Sequence, residues 1–309
     1  MSSSPYEIQQ RLLHAQQVLE EVDRAYNTEV FYDIEVAIAK YTNVLILYRG
    51  IYEDSNASLG QDDESTILAL AMVGVITARI GQVYQQLDLN FEESFKYLFE
   101  GYKILKECVE RYPRPPLSQW IYQQINWCLG LLAPIRDDEY DTQDPDTWKF
   151  KYPRSDYLAE VGLTYSNLAS RRMFRSVGEI YSIYTQTLQG SVITRDSYGY
   201  EIPATPRIVI PSLAEHINAM MYEVDRMKTL VKRLKNETLP PERRETLHQI
   251  LGLYNFSLSQ VRSIAELLYQ YLYALPDETR QRLEKYLPRK ALIKFSSKFL
   301  KHKKARHHH

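Results

Sequence analysis

Few residues in this sequence could carry catalysis or bind a metal, and they stand far apart. Histidine and cysteine are the side chains that most often serve as bases, nucleophiles and zinc ligands near neutral pH. Ahead of residue 289 there are five such residues, none at metal-motif spacing: His14, Cys108, Cys128, His216 and His248. We therefore expect no catalytic, cofactor or metal site, and we expect both cysteines to be free thiols. A Cys–His dyad assembled in space is the alternative.

Phosphate-binding and calcium-binding loops are missing from the sequence as well. The eleven glycines are scattered and match neither G-x-x-x-x-G-K nor G-x-G-x-x-G. The acidic stretch from Pro134 to Pro153 lacks the central glycine and the ordered oxygen ligands of a calcium loop. We interpret this stretch as an exposed loop that faces solvent or a partner. These patterns favour an interaction protein over an enzyme.

The strongest chemical signal is a basic amphipathic segment, residues 289–309, which we name the basic tail. It holds eight Lys or Arg residues and no acidic residue. Taking those eight from the 38 Lys and Arg residues leaves 30 against 39 acidic residues, so the tail follows an acidic body. On a helical wheel the lysines and the Leu and Phe residues lie on different sides. The candidate surface residues are Lys290, Leu292, Lys294, Phe295, Lys298, Phe299, Lys301, Lys303 and Lys304.

Three uses of the basic tail are open. A helix with lysines on one side binds an anionic membrane by inserting its apolar side, at roughly 1 kcal/mol per basic residue near the surface. The same apolar side could instead dock on a protein partner or on the body of this protein. Nucleic acid is a less favoured ligand, because no aromatic stacking platform is interleaved with the lysines.

The elements that must position these residues are predicted to be amphipathic helices. Apolar residues recur at alternating intervals of four and three from Ile8 to Val22, and a similar pattern runs from Ile34 to Tyr48. Polar residues 54–64 are predicted to form a loop. The helices are predicted over about 5–24, 32–52, 65–86, 91–111 and 117–132, with a further helix pair over 156–188.

The strictest periodicity follows Pro211. Apolar residues spaced four and three apart run through Leu213, Ile217, Met220, Val224, Met227, Val231 and Leu234, and again through Leu247, Leu251, Tyr254, Leu258, Val261, Ala265, Leu268, Leu272 and Leu275. Two heptad helices joined by a turn containing Pro240 and Pro241 predict an antiparallel hairpin. We expect the hairpin to close on itself, or to form a homo-oligomer through residues 212–275.

Two segments share a pattern of small and aromatic residues. Ile80-Gly81-x-x-Tyr84 precedes Phe91, Ser94, Leu98 and Gly101, and Val161-Gly162-x-x-Tyr165 precedes Phe174, Val177, Tyr181 and Tyr184. The pattern resembles the tetratricopeptide helix pair, in which small residues let two helices cross closely. Over about a quarter of the chain, the resemblance implies a concave groove that binds a peptide or a partner helix. The residues at the implied crossings are Gly81, Tyr84, Gly101, Gly162 and Tyr165.

The sequence thus predicts an all-α protein, either an irregular helical-repeat array or a bundle of antiparallel helix pairs, followed by a long antiparallel helical hairpin. The expected parts are an N-terminal body over 1–133, an exposed acidic loop over 134–153, a helix pair over 154–190, a linker over 191–211, the hairpin with a short helix over 212–288, and the basic tail.

We expect a non-enzymatic scaffold or adaptor that binds protein partners through helical surfaces, with the basic tail aiding recruitment. The alternatives are a peripheral membrane protein held on anionic lipid by the tail and a helical nucleic-acid packaging protein. We see no secretory leader, and the longest nearly apolar run, 67–78, is short for a membrane span. We therefore expect an intracellular, cytoplasmic protein, with membrane association through the tail.

Overall fold

A computed structural model of the chain describes residues 2–27, 34–137, 144–188, 193–195, 201–203, 206–273, 275–283 and 285. The described residues confirm the all-α prediction, apart from one small two-stranded ribbon. The chain divides into two compact units, the first up to Tyr165 and the second from Ser166 onward. The basic tail lies outside the described residues.

Five helices make up most of the first unit, and their bounds are close to those predicted. Each helix packs against the next one along the chain, and α3 also contacts α1 and α5, which makes α3 the central helix. The helices are α1 (Pro5–Asn27), α2 (Ile34–Leu59), α3 (Glu64–Asp88), α4 (Phe91–Arg111) and α5 (Leu117–Leu132).

The first helix shows how the sequence sets both its start and its buried face. Ser4 accepts a 3.2 Å hydrogen bond from the backbone N–H of Glu7, whose carboxylate accepts one from the N–H of Ser4 in return, forming a capping box. The predicted apolar face of α1 is buried throughout: Ile8, Leu12, Ala15, Leu19 and Val22. Burying a large aliphatic side chain contributes about 1.5–3 kcal/mol, so this face holds α1 on the core.

The second helix continues seven residues beyond its predicted end, so the prediction of a loop from residue 54 was wrong. Its last turns are polar, but Ser55 is fully buried and its hydroxyl lies 2.7 Å from that of Thr66 on α3. Asp54 forms a 2.5 Å ion pair with Arg11 of α1. These two polar contacts, one buried at Ser55 and one on the surface at Asp54, hold the last turns of α2 where apolar packing is missing. Gly60, with a φ of +95°, then ends the helix in a left-handed conformation that glycine adopts readily.

The third and fourth helices cross closely at glycines. A Cβ on Gly101 would lie 2.6 Å from the carbonyl oxygen of Gly74, and one on Gly81 would lie 2.8 Å from the Leu98 side chain. The close approach that we expected at Gly81 and Gly101 is therefore present. It fixes the distance between α3 and α4 at their crossing.

The third helix, α3, is long and apolar enough to cross a membrane by length and composition. Its most apolar stretch has a mean hydropathy of 1.7, and 78% of that stretch is buried within the protein. A helix that is apolar nearly all round suits a central position among several neighbours. Its contacts with α1, α2, α4 and α5 account for this composition.

The segment predicted as an exposed acidic loop is only partly exposed. Ile135 is fully buried, and the backbone of residues 135–137 pairs with that of residues 149–151, forming a short hairpin. Trp148 is buried, with its ring centroid 5.0 Å from that of Tyr102 and 5.7 Å from that of Phe99, both on α4. The aromatic residues hold the base of the segment on the first unit. The acidic residues from 138 to 143 lie outside the described residues.

One continuous helix, α6 (Ser155–Leu188), replaces the predicted helix pair over 154–190. Gly162, Tyr165, Phe174 and Tyr181 all lie on this one helix, so they cannot form a second tetratricopeptide-like pair. Gly162 and Tyr165 are buried, whereas the Phe174 side chain is 67% exposed. No proline or loop sequence interrupts residues 155–188, and this is why the helix continues.

The second unit continues with a ribbon and a helical hairpin. The strands β1 (Ile193–Arg195) and β2 (Glu201–Pro203) pair antiparallel, and α7 (Pro206–Lys235) begins inside the predicted linker, where Pro206 occupies the first helical position. The helix α8 (Pro241–Tyr273) packs against α7, and the short α9 (Asp277–Leu283) contacts both.

The predicted heptad face of α7 is buried from Ile217 to Leu234. On α8 the predicted positions Val261 and Ala265 are buried, but Leu247 and Leu251 are only half-buried. The neighbouring residues Ile250, Ser257 and Ile264, which lie outside the predicted face, are buried as well. The apolar surface of α8 is wider than a strict heptad seam. Leu213, Leu268 and Leu272 have no described side-chain environment.

Candidate functional site

The five His and Cys residues considered for chemistry lie on five different helices. His14 and His248 are exposed on α1 and α8, and His216 is half-buried on α7. Cys108 and Cys128 are fully buried, and burial raises the pKa of each thiol to about 12. A thiol held protonated and away from solvent is a poor nucleophile. Within the described ranges, no three His, Cys, Asp or Glu side chains gather as ligands of one metal ion.

Among the residues that the structure describes, a groove of about 450 Å³ on the first unit is the feature that we consider for binding. We name it the α1–α3–α5 groove, because alternate helices of the unit form its walls. Its floor contains the buried side chains of Leu12, Leu19 and Tyr48. The remaining lining residues are Gln9, Leu13, Gln16, Glu20, Asp23, Leu68, Met72 and Trp120.

Several apolar residues that line the groove are partly exposed to solvent. Leu13 is 51% exposed, and Leu68, Met72 and Trp120 are half-buried on the opposite walls. Methionine adapts its shape to different partners, and tryptophan is among the residues that contribute most to protein interfaces. The α1 wall from Gln9 to Asp23 is roughly 21 Å long at 1.5 Å per residue, which equals about four turns of a docked helix.

The polar lining of the groove carries negative charge. Glu20 and Asp23 line the groove, together with Gln9 and Gln16, and no Lys or Arg is among its described lining residues. Gln16 donates a 3.2 Å hydrogen bond to Glu20, and Gln9 donates a 2.9 Å hydrogen bond to Ser65 of α3. The groove therefore favours a cationic apolar ligand over an anionic one.

A polar cluster fixes the groove at Asp23. The Asp23 carboxylate accepts a hydrogen bond from Tyr41 of α2 and lies 3.7 Å from Nε of Arg79 of α3. The Arg79 guanidinium in turn lies over the Trp127 ring of α5, 4.6 Å from its centroid. Side chains from α1, α2, α3 and α5 thus meet at one point. This cluster sets the distance between the groove walls.

Sequence reasoning missed this groove. The predicted crossing residues on α3 and α4 do not line the groove. Gly81 and Gly101 let the two helices approach closely, and the Tyr84 ring stacks on the Tyr97 ring with their centroids 5.5 Å apart. Gly162 and Tyr165 lie on α6. The half-exposed apolar residues on alternate helices, Leu13, Leu68 and Trp120, were the signal that could have indicated the groove.

Comparison with protein-family models, with curated proteins and with solved structures found no match to this chain.

Proposed function

We propose that this chain is a non-enzymatic interaction protein whose α1–α3–α5 groove binds a basic amphipathic helix of a protein partner. The observation that carries the proposal is an apolar groove about four helical turns long, in which the two charged residues among the described lining, Glu20 and Asp23, are both acidic. The docked helix would place its apolar side on Leu13, Met72 and Trp120, and its Lys or Arg residues beside Glu20.

A pair of model peptides tests the proposal. Both have about 18 residues, or about 27 Å when helical; one carries Leu on one side and Lys on the other, and its match carries Glu in place of Lys. The full chain is expected to bind the Leu/Lys peptide at least about tenfold more tightly than the Leu/Glu peptide, measured by fluorescence anisotropy. Equal binding of the two peptides would contradict the proposal.

Two substitutions locate the binding surface. Leu13 and Ile46 are both exposed leucine-sized residues, at 51% and 60%, but only Leu13 lines the groove. For this test the peptide carries Leu on one side and uncharged Gln on the other. We expect Leu13→Glu to weaken its binding by about tenfold or more, because the substitution puts a charge on the apolar contact surface of the groove. Ile46→Glu, on the outer surface of α2, is expected to leave binding unchanged. Equal losses in the two variants would place the binding surface elsewhere.

A charge reversal tests the choice of a cationic occupant. Glu20→Lys replaces the exposed carboxylate of the groove, so it is expected to weaken the Leu/Lys peptide and strengthen the Leu/Glu peptide at low salt. The reversal should fade as salt rises, because the charge is exposed to solvent. If Glu20→Lys changes neither affinity, the occupant is not selected by charge.

A second candidate function rests on the sequence of the basic tail. We propose that its eight Lys and Arg residues, without a single acid, hold the protein on anionic membranes. Co-sedimentation with phosphatidylserine vesicles should capture the full chain, but neither a chain lacking residues 289–309 nor the full chain with neutral phosphatidylcholine vesicles. Equal capture of the full and shortened chains would contradict this function.

A further inference from the structure

A second, smaller cavity of about 210 Å³ lies in the first unit, between the base of the short hairpin and the start of α6. Its lining residues include three cations, Arg136, Lys151 and Arg154, and one carboxylate, Asp156. Within the described part of the chain, no carboxylate lies within ion-pair distance of Lys151 or Arg154. The cavity therefore concentrates positive charge on a protein body whose overall charge is negative.

The Arg136 side chain is held in place at this cavity. Its guanidinium carbon lies 4.2 Å from the centroid of the Trp148 ring, and Trp148 is itself buried against α4. The Nε atom of Arg136 is buried and has no hydrogen-bond partner among the described residues. A fixed guanidinium loses little freedom when it binds an anion, and a buried donor without an acceptor is costly.

We propose that this cavity binds a phosphate monoester of a small molecule. Arginine presents several N–H donors in a plane that matches the oxygens of a phosphoryl group, and Lys151 and Arg154 add charge on the same cavity. The volume accommodates a phosphoryl group with a small attached group, and it is too small for a folded macromolecular segment. The first turn of α6 lines the cavity at Asp156 and Tyr157. The positive end of the helix dipole therefore also favours an anion there.

Tryptophan emission gives a direct measurement. The chain has three tryptophans, so Trp120→Phe with Trp127→Phe leaves Trp148, which stacks on Arg136, as the single reporter. In that background we expect saturable changes in emission with glycerol 3-phosphate and with inorganic phosphate, but not with chloride at equal ionic strength. Tighter binding of glycerol 3-phosphate than of inorganic phosphate supports a monoester. Tighter binding of inorganic phosphate, or no saturation up to about 10 mM of either, overturns the proposal.

Matched substitutions locate the site by ³¹P NMR titration, which does not depend on Trp148. Arg154 is exposed, so Arg154→Gln keeps the fold and is expected to weaken glycerol 3-phosphate binding by about tenfold, the effect of one charge-assisted hydrogen bond. Arg136→Gln should weaken it at least as much. Arg49→Gln removes an exposed arginine of α2 away from the cavity and should have no effect. Equal losses in Arg154→Gln and Arg49→Gln would show general charge attraction and overturn the proposal.

Discussion

The hydroxyl of Tyr41 donates a 2.6 Å hydrogen bond to Oδ1 of Asp23, and this contact joins α2 to α1 at the α1–α3–α5 groove. Burial, and then the bond to Asp23, raises the pKa of Tyr41 well above its usual value, so the hydroxyl remains a donor throughout the ordinary pH range. Arg79 lies beside the same carboxylate and over Trp127. The carboxylate that lines the groove is therefore also the one that holds its walls together.

Tyr41→Phe should lower the free energy of unfolding by about 1–3 kcal/mol, because it leaves a part-buried carboxylate without its hydroxyl donor. Urea denaturation at pH 7 measures the loss. Tyr6→Phe is the matched control, since the Tyr6 side chain is 71% exposed, and it should change stability by less than about 0.5 kcal/mol. If the two variants are equally stable, the Tyr41 bond does not fasten α1 to α2.

Gly101→Ala should destabilise the protein by about 1–3 kcal/mol or more, because the new methyl group would meet the Gly74 carbonyl oxygen at 2.6 Å. The helices α3 and α4 would have to separate to accept it. Gly130→Ala, on α5, meets nothing within 4 Å, so its effect should follow helix propensity and stabilise by about 0.5–1 kcal/mol. Thermal unfolding should show that Gly101→Ala lowers stability and that Gly130→Ala raises it. If both substitutions raise stability, the crossing of α3 and α4 is not tight at Gly101.

Periodicity made some of this structure predictable. The buried faces of α1 and α7 follow directly from apolar residues spaced three and four apart, because each such face needs only one neighbour to cover it. The prolines after Arg111 fixed the end of α4 in the same local way. These elements are determined by residues near to one another in sequence.

Other elements depend on contacts between residues distant in sequence. The end of α2 is held by Ser55 against Thr66 and by Asp54 against Arg11, which a polar sequence alone cannot distinguish from a loop. The acidic segment docks because Trp148 finds an aromatic surface on α4. The groove depends on α1, α3 and α5 being neighbours. Helical periodicity carries no information about which helices lie side by side, so the sequence did not reveal the candidate site.

Glu223→Leu should lower the free energy of unfolding by about 3 kcal/mol or more. It removes the carboxylate that lies 2.9 Å from the guanidinium of Arg172, and the Arg172 side chain is only 8% exposed. The double variant Arg172→Met with Glu223→Leu should recover most of that loss, since a buried ion pair replaced by apolar groups of similar size is often neutral. Denaturant titration of the single and double variants measures both changes. A double variant no more stable than the single one would contradict this account.

An exposed pair on the same helix provides the control for that experiment. Arg175 and Glu179 lie 3.5 Å apart on α6 with side chains 54% and 51% exposed. Because solvent screens this pair, Glu179→Leu should change stability by less than about 1 kcal/mol. An effect as large as that of Glu223→Leu would mean that burial is not what distinguishes the two pairs.

Stability should fall steeply above pH 9, because burial raises the pKa of Cys108 and Cys128 from 9.0 to about 12. In the unfolded chain the thiols ionise near pH 9, while in the folded chain they stay protonated. Their contribution is therefore complete below pH 9 and is lost as the pH rises toward 12. At pH 10.5 each buried thiol should lower the free energy of unfolding by about 2 kcal/mol, taking about 1.36 kcal/mol for each pH unit above 9.

Replacing both thiols tests that pH dependence without requiring the variant to match the stability of the original chain. Cys108→Ala with Cys128→Ala is expected to lower stability at pH 7 by leaving small cavities. Its further loss between pH 7 and pH 10.5 should nevertheless be smaller than that of the original chain by about 4 kcal/mol for the two thiols. The buried tyrosines titrate in both proteins, so their effect cancels in the comparison. Parallel losses would show that thiol ionisation does not drive the alkaline instability.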